Sequence, residues 1–364
     1  MASYKNQHYV PRCYLKPFSL NSDGKAINLF NISREVSVPC APVKSQCSSS
    51  YFYGRNIDAE RALGKIEKSY GHLIRKIQTD PADLDNSDIL FLKRFCFLQY
   101  IRTDSALKRF KQSMNDFIQI ATLGDTADGS EEFDYARNAL EIFSDNSSII
   151  DDLKTCFIRN SSKKLFITSD DPAVMTNRWY AQHRLARGMS PGLNASGAMF
   201  VFPLTPRICC VHYDGDVYSI SNTGGWVETD CGIDIDALNE HQVLHCLENL
   251  YFANWDERES LRQFWKTKMV QRPPERHEIN VAKLTREDES EKVFEVIDES
   301  EMDEGGHYLM HLKTIIPTPL YWPRFLRYRN SPRIYSNGTG VGYVRRSEAE
   351  RRDYSDRPFK RVKV

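Results

Sequence analysis

Apolar residues recur at helical spacing over long stretches of the first half of the chain. Between residues 57 and 78 they fall three or four positions apart, as they do on one face of a helix. The following segment, 86–122, begins apolar on most sides, which predicts a core helix with a break near 102–105. The helices predicted from such spacing are 57–78, 86–122, 131–144, 147–158, 235–249 and 257–269.

Short apolar runs bounded by turn residues predict strands, most of them in the second half of the chain. The segment 36–50, which contains proline, serine and cysteine, is predicted to be a loop. We therefore expect an α+β fold with a helix-rich N-terminal half. A small mixed or antiparallel sheet is expected from the strands near 165, 200, 210 and 251. The predicted strands are 26–32, 164–168, 198–202, 207–213 and 251–254.

The composition changes after residue 272, and this change suggests three parts. The acidic segment 287–304 surrounds one predicted strand, and Gly305-Gly306 is expected to turn the chain back into a second strand, which gives a hairpin. The last part is rich in Gly, Arg, Ser and Tyr, which favours partial or full disorder from about Ser347. The predicted parts are a main domain over 1–272, an acidic hairpin appendage over 273–322 and a basic tail over 323–364.

Charge is balanced overall but unevenly distributed. The chain has 49 basic and 49 acidic residues, so its formal net charge is zero. Residues 323–364 hold ten Arg and two Lys against two Glu and two Asp, so they carry +8 and the rest carries −8. A basic segment attracts nucleic-acid phosphates, which makes RNA or DNA a candidate partner of the tail. The acidic hairpin is a candidate site for a protein partner.

The sequence predicts neither a membrane span nor a disulfide framework. No apolar run reaches the roughly 18 residues of a membrane helix, and polar residues such as Lys5 interrupt the N-terminal segment. Because no export signal is recognised, a cytoplasmic protein with reduced thiols is expected. The nine cysteines are odd in number and lack zinc-ligand spacing. His241 and His245 could share a metal ion, but without an acidic third ligand at matching spacing, ordinary satisfied histidines are favoured.

The segment 7–18 is dense in aromatic residues for a chain end. A terminus is usually disordered unless such residues tie it down. The segment is therefore expected to pack on the protein body and to fix His8 there. Its apolar anchors are Tyr9, Val10, Tyr14, Leu15 and Phe18.

Polar residues on the predicted helices give His8 candidate neighbours. Glu60 and Glu67 lie seven residues apart at the border of an apolar stripe, where they face a cleft or pair with surface Lys or Arg. Gln99 and Arg102 end a buried helix face and need partners there. Arg102 would suit a carboxylate or a phosphate, or an internal salt bridge, for example to Glu67.

A further candidate follows the strand predicted at 164–168. The chain runs from this strand into Asp170, Asp171 and a proline, and loops at strand ends often carry function. Asp170 could bind a divalent cation, or it could form an Asx turn with its own backbone.

The order of these residues resembles the bacterial family catalogued as domain of unknown function 4238. The resemblance covers residues 8 to about 255, and it implies a shared set of residues without a settled activity. Asp171 stands where the family usually has Asn and Thr205 where it has Ser, which favours Asp170 as the functional carboxylate. The matching landmarks are His8-Tyr9-Val10-Pro11-x-x-Tyr14-Leu15-x-x-Phe18, the spaced Glu60 and Glu67, Leu98-Gln99-x-x-Arg102-Thr103, Ser169-Asp170-Asp171-Pro172 and Phe202-Pro203-Leu204-Thr205-Pro206.

A histidine, several carboxylates and an arginine are typical of metal-dependent phosphodiester hydrolases. Glu60, Glu67 and Asp170 are the expected oxygen ligands for Mg²⁺ or Mn²⁺, which would activate a water molecule. His8 would act as general base, and Arg102 with Gln99 would stabilise the phosphate charge. The first hypothesis is therefore a nuclease-like hydrolase, for example a bacterial toxin or an anti-phage defence effector.

The alternative is a protein without enzymatic activity. The same residues could form a buried polar network that fixes the N-terminal segment, with His8 bonded to Glu67 and Arg102 to Asp170. The chain would then be a binding or adaptor module. A nucleotide sensor is less favoured, because no glycine-rich phosphate loop is present.

Overall fold

The computed structural model describes residues 5–55, 57–79, 81–123, 135–288, 292–351 and 357–364. The helices are α1 Arg12–Leu15, α2 Ile57–Thr79, α3 Asn86–Arg102, α4 Asp104–Ala121, α5 Tyr135–Asn146, α6 Arg178–Gln182, α7 Gly232–His245, α8 Arg258–Lys268 and α9 Arg346–Arg351. The strands are β1 Asn6–His8, β2 Ala26–Asn31, β3 Val36–Pro42, β4 Ser48–Ser50, β5 Lys154–Asn160, β6 Thr168–Ser169, β7 Val174–Thr176, β8 Met199–Thr205, β9 Ile208–Tyr213, β10 Tyr218–Ile220, β11 Trp226–Thr229, β12 Asn249–Phe252, β13 His277–Glu287, β14 Lys292–Ile297, β15 Tyr308–Thr314, β16 Leu326–Tyr328, β17 Ile334–Ser336 and β18 Lys360–Val362.

Helix α3 ends where the sequence predicts a break. Asp85 caps its start with a capping box that includes Asp88. Thr103 then has extended backbone, and its hydroxyl accepts a hydrogen bond from Ala106 N, so it caps the start of α4. The predicted helix 86–122 is therefore two helices, α3 and α4, joined at Thr103.

Two central sheets carry the fold, where one was expected. The first has strand order β11-β5-β9-β8-β7 and the second β3-β2-β12-β6. Their pairings are antiparallel except for β11 with β5. The expectation of a single sheet is wrong, because β6 pairs with β12 while β8 and β9 belong to the other sheet. The chain leaves β6 through Asp170, Asp171 and Pro172 and joins the five-stranded sheet at β7.

The protein core lies on both faces of the five-stranded sheet. Phe157, Phe200 and Phe202 pack with α2, α3 and the N-terminal segment on one face. The alternate residues of these strands, such as Val201 and Val211, pack on the other face of the sheet. There they contact α7 and apolar residues of the basic segment 323–364. The fold is thus a mixed arrangement of helices and sheets with the N-terminal segment built into its main core.

Three local predictions are wrong. The predicted strand 164–168 is mostly irregular, because β6 covers only Thr168–Ser169. The predicted loop 36–50 contains β3 and β4. The predicted helix 147–158 is a short 3₁₀ turn, Ser147–Ile150, followed by β5, which is buried in the middle of its sheet. Short apolar runs fit both periods, so the sheet partner decides the outcome. Residues 131–134 of another predicted helix lie outside the described residues, and α5 begins at Tyr135.

The C-terminal part forms a three-stranded antiparallel sheet with the order β14-β13-β15. The expected hairpin pairing of β14 with β15 is not found, because β13 lies between them and pairs with both. In the basic segment, β16 pairs with β10 and β17 pairs with β18. Part of the tail predicted to be disordered, 352–356, lies outside the described residues. No helix in the described part of the chain is long and apolar enough to cross a membrane.

Candidate functional site

The N-terminal segment is fixed on the protein body, as its aromatic anchors predict. β1 pairs with β4, and Tyr9 N donates to Cys47 O at 3.0 Å. Tyr14 stacks on Phe202 with ring centroids 5.0 Å apart, and its hydroxyl donates to Pro203 O at 2.6 Å. These contacts hold His8 at a defined position. The fully buried anchors are Val10, Tyr14, Leu15 and Phe18.

Gln7 brings Tyr53 into the same region. The buried Gln7 amide donates to Gly54 O at 3.0 Å and accepts from Tyr53 N at 2.6 Å. The Tyr53 ring is buried, and its hydroxyl lies near Arg102, which lowers its pKa through its charge and through a side-chain hydrogen-bond contact that falls short of full hydrogen-bond geometry. Because Gln7 and His8 are neighbours on β1, one strand positions both the histidine and the tyrosine.

Arg102 is fully buried at the end of α3, and it connects α3 to α2. Its Nη2 donates to Glu67 Oε1 at 3.3 Å. With the Gln99 amide oriented to satisfy both of its polar atoms, Gln99 Oε1 accepts from Arg102 Nη2 at 2.8 Å and from Nε at 2.7 Å. The salt bridge to Glu67 anticipated from the sequence is thus present. The pairing of Arg102 with Asp170 that the network alternative assumed is not.

Three polar atoms in this region are shielded from solvent and lack a hydrogen-bond partner among the described residues. They are His8 Nε2, Tyr53 Oη and Arg102 Nη1. The charge of Arg102 shifts the pKa values of His8, Tyr53, Glu60 and Glu67, so these residues lie within electrostatic range of its guanidinium. A buried polar group without a partner costs about 1–3 kcal/mol, so the arrangement favours a ligand or ordered water molecules here.

Burial sets the protonation of this cluster. It lowers the pKa of His8, and the positive charges of Arg12 and Arg102 lower it further, so the imidazole is neutral near pH 7. Burial raises the pKa of Glu67 against the opposing effect of Arg102. Burial and the neighbouring Glu67 raise the pKa of Glu60. Burial raises the pKa of Tyr53 to about 12, so its hydroxyl stays a hydrogen-bond donor.

The hydrogen bonds of Asp170 go to a different part of the chain from this cluster. Its two oxygens accept hydrogen bonds from the backbone N–H groups of Leu247, Glu248 and Asn249 at 2.8, 2.7 and 2.9 Å. Burial raises its pKa to about 6 although these bonds favour the carboxylate. The expected roles as a metal ligand or in an Asx turn do not match this geometry. Asp170 instead holds the segment between α7 and β12.

Asp171 is bonded to α4. Its Oδ1 accepts from the Thr103 hydroxyl at 2.7 Å, and its Oδ2 pairs with Arg109 Nη1 at 2.5 Å. The two consecutive aspartates therefore connect β6 to different elements, Asp170 to the start of β12 and Asp171 to α4.

Glu60 and Glu67 are the carboxylates available to a cation at this site. Among the described residues, no group of three or more His, Cys, Asp or Glu side chains is arranged to hold a metal ion. Mg²⁺ commonly uses only one or two carboxylates and takes its other ligands from water and substrate phosphates. His241 and His245 are both buried in α7, where His245 Nδ1 contacts His241 O at 3.0 Å. All nine cysteines are free thiols.

Gln7 and Tyr53 were not predicted as site residues. Tyr53 ends the run of three aromatic residues Tyr51-Phe52-Tyr53, which by sequence alone indicates only a hydrophobic anchor. Gln7 stands beside His8, but no sequence signal shows which backbone its amide binds. Only the pairing of β1 with β4 brings them together.

These observations describe a mixed α/β protein whose N-terminal segment packs beside a polar cluster, in which Tyr53 and Arg102 are buried and His8, Glu60 and Glu67 are partly buried. Residues 6–256 match the family described as Protein of unknown function (DUF4238), and the chain belongs to this family. Neither the curated proteins nor the solved structures include a significant match to the chain.

Proposed function

We propose that the protein is a metal-dependent phosphodiester hydrolase acting on nucleic acid, with its active site at His8, Tyr53, Glu60, Glu67 and Arg102. The observation that carries this proposal is the set of three unpartnered buried atoms beside two carboxylates. Two of them, on Arg102 and Tyr53, are hydrogen-bond donors, and phosphate oxygens are acceptors of the matching kind.

Arg102 and Tyr53 bind the phosphate in this proposal. Gln99 and Glu67 hold the Arg102 guanidinium in place through Nε and Nη2, which leaves Nη1 for a substrate oxygen. Donors fixed before the reaction stabilise the charge that develops on the phosphate without reorganisation. Gln99 is accordingly a positioning residue.

Glu60 and Glu67 are the residues that would hold Mg²⁺ or Mn²⁺ at this site. Burial raises the pKa of both carboxyls, and Glu67 raises that of Glu60 further. A divalent cation would offset both effects, because it favours the ionised forms. Bound there, the cation supplies a Lewis acid and an acidified water molecule. Asp170 is left out of the ligand set, because three backbone N–H groups occupy its oxygens.

His8 accepts the proton of the attacking water. Its Nε2 has no partner among the described residues, and its lowered pKa keeps the imidazole neutral at physiological pH. A neutral imidazole in reach of substrate is the form that a general base needs. A toxin or anti-phage defence role in the cytoplasm would be consistent with such an activity.

The test is a cleavage assay with His8→Ala and Glu60→Gln. Single- and double-stranded RNA and DNA are incubated with Mg²⁺, Mn²⁺ or EDTA. The wild type should cleave at least one substrate only with metal. Losing the base should slow cleavage by roughly 10²–10⁴-fold, and Glu60→Gln should raise the metal concentration required. His72→Ala, an exposed histidine on α2, is the matched control and should keep full activity.

A non-enzymatic binding or adaptor module is the second candidate, and the Arg102 contacts favour it. A guanidinium bonded to both Gln99 and Glu67 ties α3 to α2, as a structural network would. Under this alternative the wild type cleaves none of the substrates with any metal. His8→Ala would then lower only the melting temperature.

A further inference from the structure

A second polar site lies between α4, α5 and the three-stranded C-terminal sheet. The cavity there encloses about 270 Å³, below the usual range for drug-sized ligands and thus suited to a small molecule. The lining of the cavity includes the basic residues Arg109, Arg276 and His277, and the charges of Arg109 and Arg276 act on each other. Its apolar lining includes Tyr100, Ile101, Leu107, Phe110, Ile142 and Leu312.

The basic residues of this cavity differ in their partners. Arg109 is paired with the buried Asp171, and His277 Nε2 contacts Asp116 Oδ2 at 2.8 Å. Arg276 Nη2 donates to the backbone oxygen of Leu244 at 2.7 Å. In the described part of the chain, no carboxylate lies within ion-pair distance of Arg276. The Arg276 guanidinium therefore lies beside an apolar space without an ion pair at contact distance in the described chain, although Asp171 acts on it electrostatically.

The surroundings of Arg276 make this charge costly in the absence of an anion. Burial lowers its pKa to about 9, and the nearby positive charges of Arg272 and Arg109 act in the same direction. An anion beside the guanidinium would compensate for both effects.

The C-terminal end of α7 has a second arginine bonded to it, so Arg276 is not required for that contact alone. Arg272, four residues earlier in the chain, already donates from Nη1 to Cys246 O at 2.8 Å. Each of the two arginines thus bonds a different backbone carbonyl at the C-terminal end of α7, where positive charge is favourable. Only Arg276 also lines the cavity.

We propose that this cavity binds a small carboxylate with an apolar body, its carboxylate on Arg276 and Arg109 and its apolar part against α4, α5 and β15. A guanidinium offers paired donors that match a carboxylate, and the apolar walls supply hydrophobic contact. Arg276, His277 and Leu312 follow the family-matched region 6–256 in the chain. The ligand would therefore connect that region to the C-terminal sheet. The proposal uses none of the residues of the proposed hydrolase site, so either can fail alone.

The probe is octanoate, titrated into the full-length protein by isothermal calorimetry. We expect saturable one-to-one binding, with much weaker binding of acetate, which lacks the apolar body, and of 1-octanol, which lacks the charge. Arg276→Gln should weaken octanoate binding by about tenfold or more, the usual effect of losing a charged hydrogen-bond partner. Arg272→Gln removes the same charge from the same part of the chain, outside the cavity, and should leave binding unchanged.

A second variant keeps the experiment informative if Arg276→Gln does not fold. Ser113 lines the cavity from α4 and is buried, so Ser113→Leu should fill part of the space and weaken octanoate binding without a change in charge. Melting temperatures are recorded for every variant. The proposal is overturned if octanoate does not bind the wild type. It is also overturned if octanoate and 1-octanol bind with equal affinity. A third contradicting result is that Arg276→Gln, like the control Arg272→Gln, binds octanoate with the affinity of the wild type.

Discussion

At the scale of single residues, the central feature is a buried guanidinium whose bonds are incomplete. Arg102 is fully buried, yet only Nε and Nη2 are bonded, while Nη1 faces no acceptor among the described residues. The partly exposed Glu67 is its charge partner at 3.3 Å, a long contact for an ion pair. Incomplete bonding of a buried charge is costly, and binding sites accept such costs because the ligand removes them.

The pH dependence of cleavage follows from the protonation states in this cluster. His8 acts in its neutral form, so activity rises with pH through its pKa, which lies below 6.5. Glu60 and Glu67 must also lose their protons before they can bind a cation, and burial raises the pKa of each above its ordinary value. The rate should therefore rise with pH along an acid limb that ends when the last of these three groups has lost its proton. A rate that falls as the pH rises through the acid range would contradict the role of neutral His8 as the base.

Asp170 makes a contribution that unfolding experiments can measure without any knowledge of activity. Asp170→Ala leaves the N–H groups of Leu247, Glu248 and Asn249 without their acceptor. We expect the free energy of unfolding at pH 7 to fall by about 2–4 kcal/mol, because each buried donor left unsatisfied is costly. Urea titration measures this change. Glu259→Ala, at an exposed carboxylate of α8, should stay within about 0.5 kcal/mol of the wild type.

At the scale of elements, one threonine joins three parts of the fold. Thr103 ends α3, caps α4 and donates from its hydroxyl to Asp171 beyond β6. The residue thereby fixes the direction in which α4 leaves Arg102. The polar cluster on α3 and the cavity beside α4 both depend on this junction.

Replacing Thr103 tests that role. Thr103→Val keeps the shape of the side chain but removes both the cap to Ala106 N and the donor to Asp171. The expected loss of stability is about 1–3 kcal/mol in thermal or urea unfolding. Thr267→Val on α8 is the control, since its exposed hydroxyl only bonds back to Gln263 O in its own helix. Equal stability of the two variants would contradict the proposed role of the junction.

The elements also show what the sequence could and could not predict. α2 and the junction at Thr103 were predictable, because an amphipathic repeat and a capping residue are local signals. β5 was not, because its apolar run fits a helix as well as a strand until β9 and β11 pair with it. The Glu67–Arg102 pair could be anticipated from two helix faces. Tyr53 could not, since Gln7 places it through a contact 46 residues away in sequence.

At the scale of the whole molecule, the basic segment is less available than its charge of +8 suggests. Several of its arginines pair with acidic residues, which neutralises part of the charge. The basic residues near the C-terminal strand β18, by contrast, are exposed. Any attraction of nucleic acid by this segment should therefore depend on the exposed residues around β18. The paired arginines are Arg324, Arg345, Arg346 and Arg351.

Salt-dependent binding separates these two groups of charges. Lys360→Gln/Arg361→Gln/Lys363→Gln should weaken RNA or DNA binding and lower the slope of log affinity against log salt by up to about 2–3. The control Lys283→Gln/Lys292→Gln/Lys313→Gln removes the same charge from lysines that are paired with Asp303, Glu287 and Glu278. Fluorescence anisotropy with a labelled oligonucleotide gives both slopes. If the two triple variants show the same slope as the wild type, the tail has no part in nucleic-acid binding.

The most direct measurement of the central claim is the effect of removing one oxygen atom, in Tyr53→Phe. The hydroxyl of Tyr53 is buried without a hydrogen-bond partner in the described chain, so its removal should leave the melting temperature unchanged or raise it. If that hydroxyl binds the substrate phosphate, metal-dependent cleavage should slow by about tenfold or more. Tyr70→Phe is the matched control, because Tyr70 also has a buried, unpartnered hydroxyl but stacks on Phe95 in the core, with ring centroids 4.0 Å apart. Slower cleavage in Tyr53→Phe alone, at an unchanged melting temperature, is the result that the proposed active site predicts; equal cleavage by the wild type and both variants would contradict it.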